Sequence, residues 1–122
     1  MSNPNKLPLY LASFKLQKYL YLLVRNFPKE YKYTLGQSIL ELGWKLLDAV
    51  ITANNVPNQD KSIKILQISE HFDRLNNRLR MAYELKLISH TSYSHIIATQ
   101  EETGRMISGW LNWAQKSEMP KA

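Results

Sequence analysis

Apolar residues recur at steps of three and four along almost the whole chain, which is the spacing of one face of an α-helix. The pattern forms four segments, over residues 8–26, 33–55, 60–87 and 90–115, and strand-like alternation is almost absent. Amphipathic helices joined by short links cover their apolar faces against one another. The sequence therefore predicts an all-α protein, an antiparallel up-down-up-down four-helix bundle, as a single domain over residues 1–122.

Turn and capping residues mark the boundaries between these segments. Pro28 disfavours a helical conformation at the residue before it and so ends the first segment. Thr34 and Gln37 have the spacing of a capping box at the start of the second segment. Residues 54–59 have the chemistry of a loop, and Ser89 is a good N-cap for the fourth segment.

The composition restricts the chemistry that the chain can perform. There is no cysteine, which excludes disulfides, thiolate zinc sites and cysteine nucleophiles and suits a reducing compartment. Residues 1–6 carry no apolar signal-peptide core, and the longest apolar run, residues 19–24, is far shorter than the ~18 residues of a membrane span. We therefore expect a cytoplasmic protein without a membrane partner.

No arrangement of residues typical of catalysis stands out. His90 and His95 are five residues apart, so they do not share a helix face as a pair of metal ligands would. Glu101 and Glu102 are adjacent and project about 100° apart, which does not suit an acid–base pair. All four glycines lie inside helical patterns and none forms a phosphate-binding loop. We expect no catalytic residue, no metal site, no cofactor and no enzymatic activity.

The second segment carries two apolar rows where a bundle helix needs one. The second row lies about 120° around the helix from the core row. A wide core would explain it, and so would a surface between subunits of a homo-oligomer, since Trp is enriched at the centre of interfaces. We favour the subunit interface, and the residues that would form it are Leu40, Trp44, Leu47 and Ile51.

The net charge of +6 comes from 16 Lys and Arg against 10 Asp and Glu, a balance that attracts phosphate backbones. On the third segment the cations lie within an arc of about 80°, together with Gln67 and His71, while acidic residues lie on the other side of the core stripe. A basic face of this kind is either a nucleic-acid surface or simply solvated. The predicted nucleic-acid-binding residues are Lys15, Lys18 and Arg25 on the first segment and Lys64, Arg74 and Arg78 on the third.

Three stretches of the chain together resemble the accessory variability determinant proteins of diversity-generating retroelements. Residues 27–29 followed by 33–37 resemble the first helix link of that family, residues 85–89 with Tyr93 resemble its third link, and residues 102–110 resemble its closing motif. Thr103 and Ser108 depart from the closing motif, where a bulky apolar residue and a glycine are common. The residues that carry the resemblance are Phe27, Pro28, Gly36, Gly104, Arg105, Gly109 and Trp110.

The resemblance implies a four-helix bundle that assembles as a barrel-shaped homopentamer. It implies binding to the retroelement's reverse transcriptase and to RNA or DNA through basic surfaces, in support of mutagenic retrohoming, without a catalytic role. Two alternatives stay open. One is the sister family of four-helix-bundle proteins encoded in intervening sequences of large-subunit ribosomal RNA genes, whose second helix usually carries a run that is absent here. The other is a protein–protein scaffold with no nucleic-acid role.

Overall fold

A computed structural model describes residues 7–118 and places most of them in helices. Four long helices and one short one follow each other along the chain. A 3₁₀ turn at Asn58–Asp60 precedes the third long helix. The helices are α1 (Pro8–Val24), the short α2 (Lys29–Lys32), α3 (Leu35–Asn55), α4 (Lys61–Glu84) and α5 (His90–Glu118).

The four long helices form an antiparallel bundle in which each helix packs against the next long helix in the chain. Helix α5 also returns to contact α1, so the order around the bundle is α1, α3, α4, α5. The direction follows from pairs of contacts: Ser62 near the start of α4 meets Glu118 at the end of α5, while Tyr83 near the end of α4 meets His90. The predicted all-α four-helix bundle is confirmed.

The core contains an apolar stripe from each of α3 and α4, together with buried residues of α1 and α5. Burial of these side chains removes apolar surface from water, which is the main stabilising contribution to a fold of this size. The stripes contain Ile39, Leu42, Leu46, Val50 and Ala53 on α3 and Ile65, Ile68, Phe72, Leu75, Leu79 and Ala82 on α4, all buried.

Helix α1 differs from its apolar pattern, because two polar residues lie on its buried side. Ser13 and Gln17 are buried, whereas Leu23, which the spacing places in the core, is only partly buried. The Gln17 side chain donates a hydrogen bond from Nε2 to the Leu40 carbonyl oxygen at 2.9 Å. The amide in this position leaves no room for a Cβ at Gly43, which would collide with Gln17 Oε1.

The link between α1 and α3 is compact, and the capping box predicted for Thr34 and Gln37 is wrong. Thr34 Oγ1 donates to the Glu30 carbonyl oxygen at 2.9 Å, and Gln37 Nε2 donates to Glu41. Helix α3 therefore begins at Leu35 without a side-chain cap. The reason is that α2 occupies residues 29–32 directly before it, so Thr34 bonds backwards to close that short helix.

The turn between α4 and α5 ends α4 at Glu84, earlier than the predicted limit at residue 87. Lys86 adopts the left-handed conformation with φ 63°, and its N–H bonds to the Tyr83 carbonyl while that of Leu87 bonds to the Ala82 carbonyl. These two bonds form a Schellman motif, which stops a helix. The predicted N-cap of α5 is confirmed, since Ser89 Oγ accepts from the Ser92 N–H at 3.1 Å.

Helix α1 ends at Val24, whereas the spacing predicted an end at residue 26, and α5 runs to Glu118 rather than to residue 115. Helix ends commonly shift by such amounts, since periodicity does not define the last turn. No helix among residues 7–118 is long and apolar enough to cross a membrane.

Candidate functional site

Positively charged side chains of α4 and α3 lie along the groove between these two helices. Three of the predicted nucleic-acid-binding residues, Lys64, Arg74 and Arg78, lie on the flank of α4 that faces α3. A contact of Arg78 shows that this flank faces α3, because Arg78 Nε donates a hydrogen bond to Ser38 Oγ on α3 at 3.3 Å. Arg74 is exposed, and Lys64 and Arg78 are half-buried.

His71 lies in the middle of this groove. Its Nδ1 is buried and has no hydrogen-bond partner. Burial lowers the pKa of His71 from its usual value of 6.5, and the positive charges of Arg74 and Lys45 lower this pKa further, against an opposite effect of Glu70. The imidazole is therefore neutral at pH 7, and it gains a proton more readily when an anion enters the groove.

Lys45 is a member of this groove that the sequence analysis missed. It lies on the polar arc of α3 and is exposed, and its charge acts on His71 across the helix–helix contact. Helical spacing shows that Lys45 is on a polar face but not which helix lies beside that face. The pairing of α3 with α4 supplies this information, and it adds one cation to the groove.

The second predicted basic row lies on the other side of the molecule. Lys15, Lys18 and Arg25 on α1 are exposed. Helices α1 and α4 each pack against α3 and α5, so they lie across the bundle from one another. Within the row itself, Lys15 lines the groove between α1 and α5, while Lys18 lines the one between α1 and α3. The structure does not bring the two rows together within one protomer.

The predicted interface residues of α3 divide between surface and core. Trp44 is 44% exposed, and Leu40 and Ile51 are half-buried. Leu47 is only 3% exposed, because it packs inside the protomer against α1, so it has little surface to offer to a second subunit. Three of the four residues thus form an accessible row, and Leu47 belongs to the wide core that was the alternative explanation.

Helix α1 extends this accessible row in a way that the sequence analysis did not predict. Tyr21 is 47% exposed and its hydroxyl accepts a hydrogen bond from Trp44 Nε1 at 3.0 Å, with the rings edge to face. Phe14 is also exposed and lines the shallow groove between α1 and α3 with Trp44. We call Phe14, Tyr21, Leu40, Trp44 and Ile51 the α1/α3 apolar surface.

Three residues of the family motif have structural roles. Phe27 is buried at the first link, and a Cβ at Gly36 would lie 2.7 Å from Val24 Cγ1, so α3 passes too close to the end of α1 for a side chain. Trp110 packs beside Lys61, whose Nζ is 5.9 Å from the centre of the indole ring. Lys61 itself is buried and donates to the Ala53 and Asn54 carbonyl oxygens at the end of α3.

Other residues of the motif are not explained by packing within the protomer. Gly109 is exposed and a Cβ there would have nothing within 4 Å, and Arg105 is also exposed. Pro28 precedes α2 with an extended backbone. Gly104 faces the ring of Phe72, where a Cβ would make ordinary contacts at 3.5 Å.

Thr103, a departure from the family motif, is accommodated without disturbing the helix. Its side chain is buried and its Oγ1 donates to the Thr99 carbonyl oxygen at 3.0 Å, one turn earlier in α5. Bonding of this kind satisfies a buried hydroxyl within its own helix. Within residues 7–118, no three histidine or acidic side chains lie close enough together to hold a metal ion.

A comparison with curated proteins finds no match to the chain. A family model described as bAvd-like matches residues 12–114, which include α3 and α4 entirely and most of α1 and α5. This match confirms the resemblance to the accessory variability determinant family that the three sequence stretches indicate. The chain therefore belongs to the bAvd-like family.

Proposed function

We propose that the protein is a non-catalytic accessory protein of a diversity-generating retroelement that binds RNA or DNA in the α3/α4 groove. As a homo-oligomer it joins this nucleic acid to the reverse transcriptase and so supports mutagenic retrohoming. Membership of the bAvd-like family supports the accessory role. The binding to nucleic acid, the reverse transcriptase partner and the pentameric state implied by the family resemblance are parts of the proposal.

The observation that carries the nucleic-acid role is the sorting of charge on α4. From Lys64 to Arg78 the flank towards α3 carries three cations over about 20 Å at about 1.5 Å per residue, with Glu70 at its solvent-facing edge. That length corresponds to about six steps of a nucleic-acid strand at 3.4 Å each. Lys45 adds a further cation from α3, while Glu41 and Asp48 lie further round that helix towards solvent.

Oligomerisation would repeat the α3/α4 groove on one particle and so raise its affinity for a long strand. The α1/α3 apolar surface supports self-association, because it combines Trp44, Tyr21 and Phe14, each more than two-fifths exposed. Aromatic residues grouped in this way are characteristic of interface centres. This surface lies about 120° around α3 from Lys45, towards α1, so a subunit bound there leaves the α3/α4 groove open.

The test of nucleic-acid binding reverses charge in the groove and compares it with an equal reversal elsewhere. Arg74→Glu with Arg78→Glu is expected to weaken binding of an RNA–DNA hybrid about a hundredfold and to reduce the slope of log affinity against log salt by about two. Fluorescence anisotropy between about 50 and about 200 mM salt measures both quantities. The control, Arg105→Glu with Lys116→Glu, makes the same change of net charge on exposed positions of α5.

Equal losses for the two double variants would show that only net charge matters and would overturn the assignment of the α3/α4 groove. The same titration on Lys18→Glu with Arg25→Glu determines whether the α1 row takes part. Circular dichroism of each variant confirms that the bundle is folded.

A protein–protein scaffold without nucleic-acid binding is the second candidate, favoured by the α1/α3 apolar surface. It predicts that the charge reversals are silent while Trp44→Glu divides the oligomer into smaller particles, as measured by light scattering. Trp113→Glu is the matched control, because Trp113 is 46% exposed, close to the 44% of Trp44, and lies on α5. A protein that remains a monomer at every concentration would contradict both the scaffold and the oligomeric adaptor.

A further inference from the structure

The other flank of α4, towards α5, carries a groove that the proposed function does not use. Its volume is about 370 Å³, at the lower end of the range for ligand pockets in proteins. Phe72, Leu79 and Ile96 form its buried floor, and Ile97, 43% exposed, stands on one wall. Gly104 leaves the middle of the groove open, since it places no side chain over the Phe72 ring.

Two polar groups of this groove are available as hydrogen-bond acceptors. Gln100 is 6% exposed, and its Nε2 already donates to Asn76 Oδ1 at 2.7 Å. Its Oε1 is buried and has no partner, and leaving such an acceptor unpaired carries a cost that a bound donor removes. Glu101 is the charged residue among those lining the groove, and its carboxylate is a second acceptor.

The charge around the groove is negative, although the protein as a whole carries a net charge of +6. Asp73 lies on the flank of α4 that carries Asn76. Arg80 lies on the same flank, but its Nε is bound to Glu84 at 2.7 Å. On α5, Arg105 is one turn beyond Glu101 and projects further from the groove. A ligand of this groove is therefore a hydrogen-bond donor with positive charge.

We propose that the α4/α5 groove binds an arginine side chain from a basic segment of a partner protein. The aliphatic part of that side chain packs on Phe72 and Ile97, and its guanidinium donates hydrogen bonds to the Glu101 carboxylate and to Gln100 Oε1. Arginine suits the groove because it combines an apolar stem with several donors and a permanent charge. This surface is distinct from the α3/α4 groove, so it does not depend on nucleic-acid binding.

A synthetic peptide serves as the probe. It is an amphipathic helix of about 15 residues, long enough to form a helix on binding, with arginine and leucine on one face. A matched peptide carries glutamine in place of each arginine. Titration into the uniformly ¹⁵N-labelled full chain is followed by two-dimensional NMR. The proposal expects the side-chain amide signals of Gln100 and the backbone signals of Ile97, Glu101 and Gly104 to shift with the arginine peptide and not with the glutamine peptide.

Two pairs of variants test the groove itself. Glu101→Lys is expected to weaken peptide binding about tenfold or more, the usual effect of losing a charge-assisted hydrogen bond. Glu102→Lys, its neighbour, lines the α1/α5 groove instead and is expected to change the affinity less than about twofold. Gly104→Leu fills the groove and is expected to abolish binding, while Gly109→Leu, at an open position of the same helix, is expected to leave it unchanged.

Several results would overturn the proposal. One is equal affinity of the two peptides, and another is equal loss for Glu101→Lys and Glu102→Lys. A third is a set of shifted signals confined to α3. Dissociation of a homo-oligomer by Glu101→Lys in the absence of peptide would identify the occupant as a second copy of this chain and would also contradict the proposal. Measuring RNA–DNA hybrid binding on the same variants separates the two grooves, since Glu101→Lys is not expected to weaken it.

Discussion

The two flanks of α4 belong to one helix and present opposite surfaces. Towards α3 the helix carries Lys64, Arg74 and Arg78 around a half-buried histidine. Towards α5 it carries acidic residues beside a groove with an apolar floor and an unpaired buried acceptor. The difference shows that a net charge of +6 describes neither surface, because the charge is sorted by helix flank.

This sorting has a physical consequence for how the protein distinguishes its partners. On the proposed assignments, a phosphate backbone should be attracted to the α3/α4 groove and repelled from the α4/α5 groove, and a basic peptide should experience the reverse. The buried stripe of α4, from Ile65 to Ala82, separates the two grooves and fixes their spacing. Variants on one flank should therefore leave the other flank unchanged, and the following predictions test that independence.

The largest effect is expected from the polar contact on the α5 flank. Asn76→Ala removes the acceptor of the Gln100 amide and leaves a buried donor unpaired, so we expect a loss of about 2 kcal/mol in the free energy of unfolding, measured with urea. Asn77→Ala, at the exposed neighbouring position, is the control and should change this free energy by less than about 0.5 kcal/mol. Similar values for the two variants would mean that the Asn76–Gln100 contact does not stabilise the α4–α5 packing.

The second effect is smaller and is a gain in the free energy of unfolding, expected from a substitution at the end of α4. Lys86 has φ 63°, a conformation that costs side-chain-bearing residues free energy and that glycine adopts readily. Lys86→Gly should raise the free energy of unfolding by about 1 kcal/mol, while Lys86→Ala should give no gain. Neither groove includes Lys86, so both binding affinities should stay constant. A change in either affinity would show that binding responds to global stability and not to the flank alone.

The smallest effect concerns His71 on the α3 flank. Its lowered pKa means that the folded, free protein prefers the neutral imidazole, so stability is fully present above pH 6.5 and decreases as the pH falls towards the lowered value. A bound phosphate favours the protonated form, so affinity for an RNA–DNA hybrid should rise about threefold between about pH 7.5 and about pH 5.5.

His71→Gln should remove this pH dependence of nucleic-acid binding. Peptide binding at the α4/α5 groove should not show this pH dependence, either in the unaltered protein or in the His71→Gln variant. An equal pH dependence at both grooves would contradict the assignment of the effect to His71 and would point to a titration shared by the whole surface.

The fold was predictable because helical spacing of apolar residues is a local property of the chain. It predicted the four-helix bundle and placed the cations of α4 on one arc. It failed where burial depends on a neighbouring helix. Gln17 and Lys61 are polar and buried because backbone carbonyl groups of α3 accept their hydrogen bonds, and no spacing along the chain reveals those acceptors.

The candidate site was less predictable than the fold, because its composition also depends on which helices are neighbours. Helical angles showed that Arg74 and Arg78 share a side, but Lys45 joined them only once α3 was placed beside α4. Likewise, Leu47 and Trp44 fall in one row of α3, yet α1 covers the first and leaves the second exposed. Single-helix patterns describe faces, and the identity of the neighbouring helix decides what each face does.

The contact between Gln17 and Gly43 makes two distant positions interdependent. A side chain at position 43 would collide with the glutamine amide unless that amide moved and gave up its hydrogen bond to the Leu40 carbonyl oxygen. The effect of a substitution at position 43 should therefore depend on position 17, because a shorter residue at position 17 removes the collision. Intermediates with only the change at position 43 should be disfavoured, which makes the order of substitutions along any evolutionary path directional.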